Sequence, residues 1–123
     1  MSTSTESEIY HAALPADWDA ALVHGTYTTS TRGVSLAEEG FVHCAFRDQV
    51  DGVANRFYGD VTDLVLLRID RARIGSPVVE EPPAAGASEL FPHVYGPIPV
   101  TAVVAAVPWR RGDDGQWRIP PPD

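Results

Sequence analysis

The apolar positions of this chain follow two periods, two and about 3.6, and their order predicts the elements. Glu8-Ile9-Tyr10-His11-Ala12-Ala13 is short, aromatic and β-prone, and runs into Leu14-Pro15, so a strand is predicted over 8–13. Proline suits the first turn of a helix. Trp18, Ala21, Leu22 and Gly25 follow at helical spacing, which predicts a helix from Pro15 to His24 stopped by Gly25. Thr26 to Ser35 is rich in Thr, Ser and Gly and reads as a loop. Loops of that length in small domains often carry function or cover a site.

Phe41-Val42-His43-Cys44-Ala45, entered through Gly40, is a second strand. Val50, Val53, Ala54, Phe57 and Tyr58 then form the stripe of a helix packed on one face, with Asp48 near its start and Gly59-Asp60 ending it. Asp63 to Asp70 is nearly continuously apolar, as expected of a central strand covered on both faces. Val78 to Glu81 is another strand, and Pro82 to Ser88 a loop. Leu90 to Tyr95, followed by Gly96-Pro97-Ile98-Pro99, reads as an edge strand or extended segment, because proline cannot donate to a ladder. Val100 to Trp109 is the last long strand, and Gln116 to Ile119 is expected to pair back as a hairpin after the turn Gly112-Asp113-Asp114-Gly115. The sum is an α+β single domain over residues 8–109 with two short helices. Residues 1–7 read as a disordered tail and 110–123 as a C-terminal hairpin with a Pro-rich tail.

Composition narrows the function classes. The chain has 123 residues, 9 basic and 17 acidic, for a formal charge of −8. That charge disfavours nucleic acid as a partner. No basic amphipathic stretch and no long apolar run point to a membrane. All nine basic residues are Arg, so lysine Schiff-base chemistry and a P-loop lysine are excluded. A lone Cys44 excludes an intrachain disulfide, and the polar N-terminus is unlike a signal peptide, so the expected compartment is cytoplasmic. A Val-rich edge strand is open to pairing in a homodimer without fixing an oligomeric state.

The candidate chemistry lies in the histidines. His11, His43 and His93 sit in strand-like segments among aromatic neighbours, while His24 ends a helix and carries no functional weight. Each strand histidine alone reads as half-buried; three in one small sheet suggest a shared cleft. His11, His43, His93 and Cys44 are the atom types of a zinc site, but His43 and Cys44 are consecutive and point to opposite faces of a strand. A Cys44–His nucleophile competes with the ordinary role of a buried thiol as a small apolar group. Glu38-Glu39 and Glu80-Glu81 read as solvated faces, whereas Glu89 stands where a loop meets the third histidine segment. Arg32 and Arg47 are placed to meet an anionic ligand. Tyr10, Tyr95 and their aromatic neighbours serve the core or line a pocket for a flat ring.

Taken together, Ile-Tyr-His, Glu-Glu-Gly-Phe-Val-His-Cys, Gly-Val-Ala-Asn-Arg-Phe-Tyr, Leu-Val-Leu-Leu and Glu-Leu-Phe-Pro-His-Val-Tyr-Gly-Pro-Ile-Pro resemble, in order and spacing over residues 8 to 108, the small bacterial family called domain of unknown function 952. A remoter similarity is to the ADP-ribosyltransferase superfamily and its RNA 2′-phosphotransferase branch. Tyr10-His11 resembles the opening strand motif there, Val42-His43, the following helix and Ile69-Asp70 resemble the order of the phosphotransferases, and Glu89 falls nearest the catalytic glutamate. That similarity implies a split, mostly antiparallel sheet and NAD as cofactor. It implies His11 as a ribose contact and Glu89 as the catalytic glutamate; joined to the reading of a shared histidine cleft, the candidate catalytic residues are Glu89 and His43, and the candidate ligand-binding residues His11, Tyr10, His93 and Tyr95. The helical RNA-binding lobe is absent. Three readings stay open: an NAD- or nucleotide-binding enzyme with a His-lined cleft, a non-catalytic small-molecule or protein-binding module, and a His-based metal-dependent enzyme.

Overall fold

A computed structural model describes residues 7–83 and 87–119. In chain order its elements are β1 (Glu8–Ala13), α1 (Pro15–His24), β2 (Thr26–Tyr27), β3 (Thr29–Thr31), β4 (Val34–Ser35), α2 (Leu36–Glu39), β5 (Val42–His43), α3 (Val50–Phe57), β6 (Asp63–Asp70), β7 (Val78–Glu81), β8 (Phe91–Val94), β9 (Ile98–Pro99) and β10 (Val103–Arg110). Short 3-10 turns occupy Arg71–Arg73 and Val100–Ala102.

The apolar run of β6 explains the architecture. It is the middle strand of an antiparallel sheet ordered β1-β6-β10, with Ile9 opposite Ile69 and Trp109 opposite Leu64. Its alternation feeds two cores. Leu67 and Ile69 join Ile9, Ala13, Ala21 and Tyr27 on one face. Leu64 and Leu66 join Tyr10, Ala12, Val50, Ala54, Tyr58, Trp109 and Trp117 on the other. Full burial of each such aliphatic side chain contributes roughly 1.5–3 kcal/mol. The helix α1 covers the first face through Ala21 and Trp18; Leu22, expected on its buried stripe, is 56% exposed instead.

A second antiparallel sheet is ordered β5-β8-β7. Reciprocal 2.7 Å backbone bonds between Tyr10 and Ala45 tie it to β1. The fold of the described residues is thus a small α+β arrangement of mostly antiparallel sheets with three short helices.

Four expectations need correction. The stretch Thr26 to Ser35 is not a loop but β2, β3 and β4; β2 pairs with β9, and β3 with β4. The described residues hold three α-helices rather than two, because Ser35 and Glu38 close a capping box that starts α2. The Pro92 segment is the centre of its sheet rather than an edge. Its β5 partner is only two residues long, so the missing proline donor interrupts almost no ladder; the Pro92 carbonyl still accepts from the Cys44 N–H at 3.1 Å. Finally, residues 116–119 form no hairpin strand. They run back over α3, where Asn55 pairs with both the N–H and the carbonyl of Trp117 at 2.6 and 3.0 Å. Residues 1–6 and 120–123, within the expected tails, lie outside the described residues.

Candidate functional site

The helix α3 presents two faces at helical spacing. Val50 and Ala54 face the core, while Gln49, Gly52, Val53 and Arg56 border a cavity of about 950 Å³. The opposite wall comes from β1 (Tyr10, His11, Ala12), β3 and its turn (Ser30, Thr31, Arg32), and the β5 segment (His43, Cys44, Ala45). Asp48, Tyr58, Glu89 and Phe91 complete the rim. The volume and the mixture of aromatic, aliphatic and a few convergent polar groups are those of sites that hold small organic molecules.

The four residues Tyr10, His11, His43 and Glu89 therefore meet at one cavity. His11 is locked. Its Nδ1–H donates to the His43 carbonyl at 2.5 Å, which leaves Nε2 to accept from the Tyr27 hydroxyl at 2.9 Å. Burial holds its pKa down at about 4, so the ring is neutral. His43 is half-buried, with Nε2 3.6 Å from the Glu39 carboxylate. Burial and the neighbouring His93 lower its pKa, against the opposing pull of Glu39. Glu89 is exposed and receives a 3.1 Å bond from Gln49 Nε2. Gln49 also donates to the Leu90 carbonyl and accepts from the Phe46 N–H, so the glutamate is held by a clamped side chain.

His93 and Tyr95 do not border this cavity. They share Glu81: His93 Nδ1–H donates to its carboxylate at 2.8 Å, and the Tyr95 hydroxyl donates to the same oxygen. Those bonds lower the Glu81 pKa. His93 is 1% exposed, stacks under Phe41 at 4.1 Å and meets the His43 ring edge-on at 4.8 Å. His43 is thus the hinge between the two groups. Glu81, read from sequence as a solvated face, organises the second one. Glu81 shares a strand face with Val79, which pairs with His93, and that spacing is the available signal.

Arg32, Arg56, Asp48 and Glu89 are the exposed charged residues that border the cavity. Arg32 is held bidentately by Asp60 at 2.6 and 2.9 Å, which keeps that carboxyl at about 2. Arg56 forms no ion pair among the described residues and lies 5.5 Å from the Phe57 ring. Arg47, the other arginine considered for an anion, borders a separate shallow depression. Burial raises the Cys44 pKa and holds the thiol protonated, which argues against a thiolate nucleophile. Among the described residues, no three His, Cys, Asp or Glu side chains group as a metal ion would need. No described helix is long and apolar enough to cross a membrane. Sequence reasoning missed Ser30, Gln49, Gly52 and Arg56, whose cavity-facing spacing shows only once α3 is docked.

The fold is shared with solved structures. The crystal structure of protein CC0527 from Caulobacter crescentus is 28% identical, with a TM-score of 0.76, and the match covers 90% of this chain and 93% of that one. A double methionine variant of the same protein matches equally. The solution NMR structure of CC0527 gives a TM-score of 0.74 at 28% identity over 92% and 93% of the two chains. No curated protein matches this chain. The resemblance to ADP-ribosyltransferases finds no support in these matches, whereas the family model described as "Protein of unknown function (DUF952)" matches residues 12–106, and the chain belongs to that family.

Proposed function

We propose that this protein binds a small, ring-bearing anionic molecule of nucleotide type in the cavity beside α3. One observation carries the reading: a cavity of about 950 Å³ brings Tyr10, His43 and Glu89 together with Arg56 and an aromatic rim. A flat ring suits the Tyr58 and Phe91 side of that wall, and an arginine fork suits a phosphate or carboxylate. The carboxylates of Asp48 and Glu89 suit ribose hydroxyls. NAD and ADP-ribose fit this description and are the first ligands to test.

Chemistry on a bound nucleotide would fall to Glu89 and His43, the carboxylate and imidazole on the cavity wall. A non-catalytic binding module is the second reading, and the locked ring of His11 and the protonated thiol of Cys44 favour it. Calorimetric titration with NAD, ADP-ribose and nicotinamide tests the proposal. Saturable binding of ADP-ribose that Arg56→Ala weakens about 10-fold, the usual size for a charge-assisted contact, is the expected result. Absence of binding by all three at millimolar concentration overturns it. Slow release of nicotinamide from NAD, lost in Glu89→Gln with binding kept, would select the enzyme over the module.

A further inference from the structure

We propose that His43 takes up a proton when an anionic ligand enters the cavity, and that Glu39 is the positioning residue that holds its ring ready to do so. The inference rests on the reading of the cavity as a site for an anionic ligand and adds the group that answers to the bound charge.

The three strand histidines differ in what their rings can still do. His11 has both ring nitrogens bonded inside the fold. His93 gives its Nδ1–H to Glu81, and its Nε2 is buried without a partner. His43 is different. Val42 and Cys44 join the core around Ile9, so the side chain between them faces the other side of β5, where His43 pairs with His93. Its side chain is 29% exposed, and the residue borders the cavity. Among the described residues neither ring nitrogen of His43 is a buried atom lacking a partner, so both stay within reach of solvent. Glu39 Oε1 stands 3.6 Å from Nε2.

The groups around this ring set how readily it is charged. Glu39 reaches it from the end of α2. His93 of β8 meets it edge-on at 4.8 Å, with Glu81 of β7 behind, and Phe41 packs on it at 4.7 Å. From β1, the neutral His11 donates to the His43 carbonyl. Arg32, already paired with Asp60, and Arg56, Asp48 and Glu89 border the same cavity. Burial and His93 favour the neutral ring in the free protein, and Glu39 opposes them. An anion in the cavity acts in the same direction as Glu39, so the ring gains a proton as the ligand binds. Glu39 has no other ion-pair partner among the described residues, and the capping box of α2 uses Glu38 instead. Its carboxylate favours the Nε2–H tautomer and leaves the Nδ1 lone pair to receive the proton.

The experiment uses ADP-ribose, whose diphosphate keeps its charge from about pH 5.5 to 8, and calorimetry in two buffers of different ionisation enthalpy, which counts protons. Wild type is expected to take up roughly half a proton per ligand near pH 6, and to bind about 5-fold more tightly at pH 5.5 than at pH 7.5. His43→Asn should take up no proton and lose that pH dependence. Glu39→Gln gives a readout that needs no ligand: the His43 imidazole resonances should titrate at lower pH than in wild type, with the melting temperature unchanged. A His43 titration unmoved by Glu39→Gln overturns the role given to Glu39. Binding of ADP-ribose without proton uptake, or with an uptake that His43→Asn keeps, overturns the proposal and leaves the cavity reading standing. Wild-type protein that binds no ADP-ribose at any of these pH values overturns the cavity reading and the proposal with it.

Discussion

His11 shows how far one residue can be read. From sequence it was a strand histidine at the opening of the chain, a candidate for ligand contact. Its partners, the His43 carbonyl and the Tyr27 hydroxyl, lie 32 and 16 residues away, so neither could be read locally. Those partners fix the Nδ1–H tautomer, and burial brings its pKa from 6.5 to about 4. The sign of the pH dependence follows. Between these two values the unfolded chain binds more protons than the folded one, so stability rises with pH through that window. As pH falls from about 6.5 to about 4, stability drops by up to roughly 3 kcal/mol, and the lowered His43 acts in the same direction. Urea denaturation across that range should show this slope, flattened in His11→Asn. A wild-type stability flat across the window would show that His11 is not held neutral. Carboxylates such as Asp60 and Glu81, whose pKa values are lowered, add their own loss at more acid pH.

At the scale of elements, periodicity was most informative where packing is local. The strand β1, the helices α1 and α3, and the central strand β6 all stand where their apolar patterns predict, although Leu22 of α1 and Phe57 of α3, both on the expected stripes, are exposed. The Ser35-to-Glu38 spacing of a capping box is present in the sequence, at the end of a Thr-rich stretch whose composition reads as loop. The Pro92 strand misled for a physical reason: proline is tolerated at the centre of a sheet when the partner strand is short. The return at Trp117 was illegible because its partners are side chains of α3 rather than a strand. Trp117 packs on Trp109 with ring centroids 5.2 Å apart and donates its indole N–H to the Tyr58 carbonyl at 3.0 Å. Trp117→Ala should therefore cost roughly 3–5 kcal/mol, the range for emptying an aromatic site. Asn55→Ala, which strips both backbone partners of Trp117, should cost about 1–3 kcal/mol. Denaturation midpoints unchanged by both would mean that residues 116–119 do not hold α3 in place, and with it the cavity wall.

For the whole molecule, the two sheets join through the bridge between Tyr10 and Ala45. The cavity lies between α3 and the wall of β1, β3 and the β5 segment. Four of the six expected site residues meet there; His93 and Tyr95 turn to Glu81 behind Phe41. Strand membership was legible for all three histidines, but which of them share a wall depends on how the sheets join, which no local pattern encodes. In the proposed function the α3 cavity, and not the Glu81 cluster, holds the ligand. Amide and imidazole NMR shifts during titration with ADP-ribose test it most directly. Saturable shifts are expected at His43, Gln49, Gly52, Arg56 and Glu89, with Tyr95 and Glu81 unmoved. Shifts centred on His93, Tyr95 and Glu81, or no saturable shift at all, would contradict it.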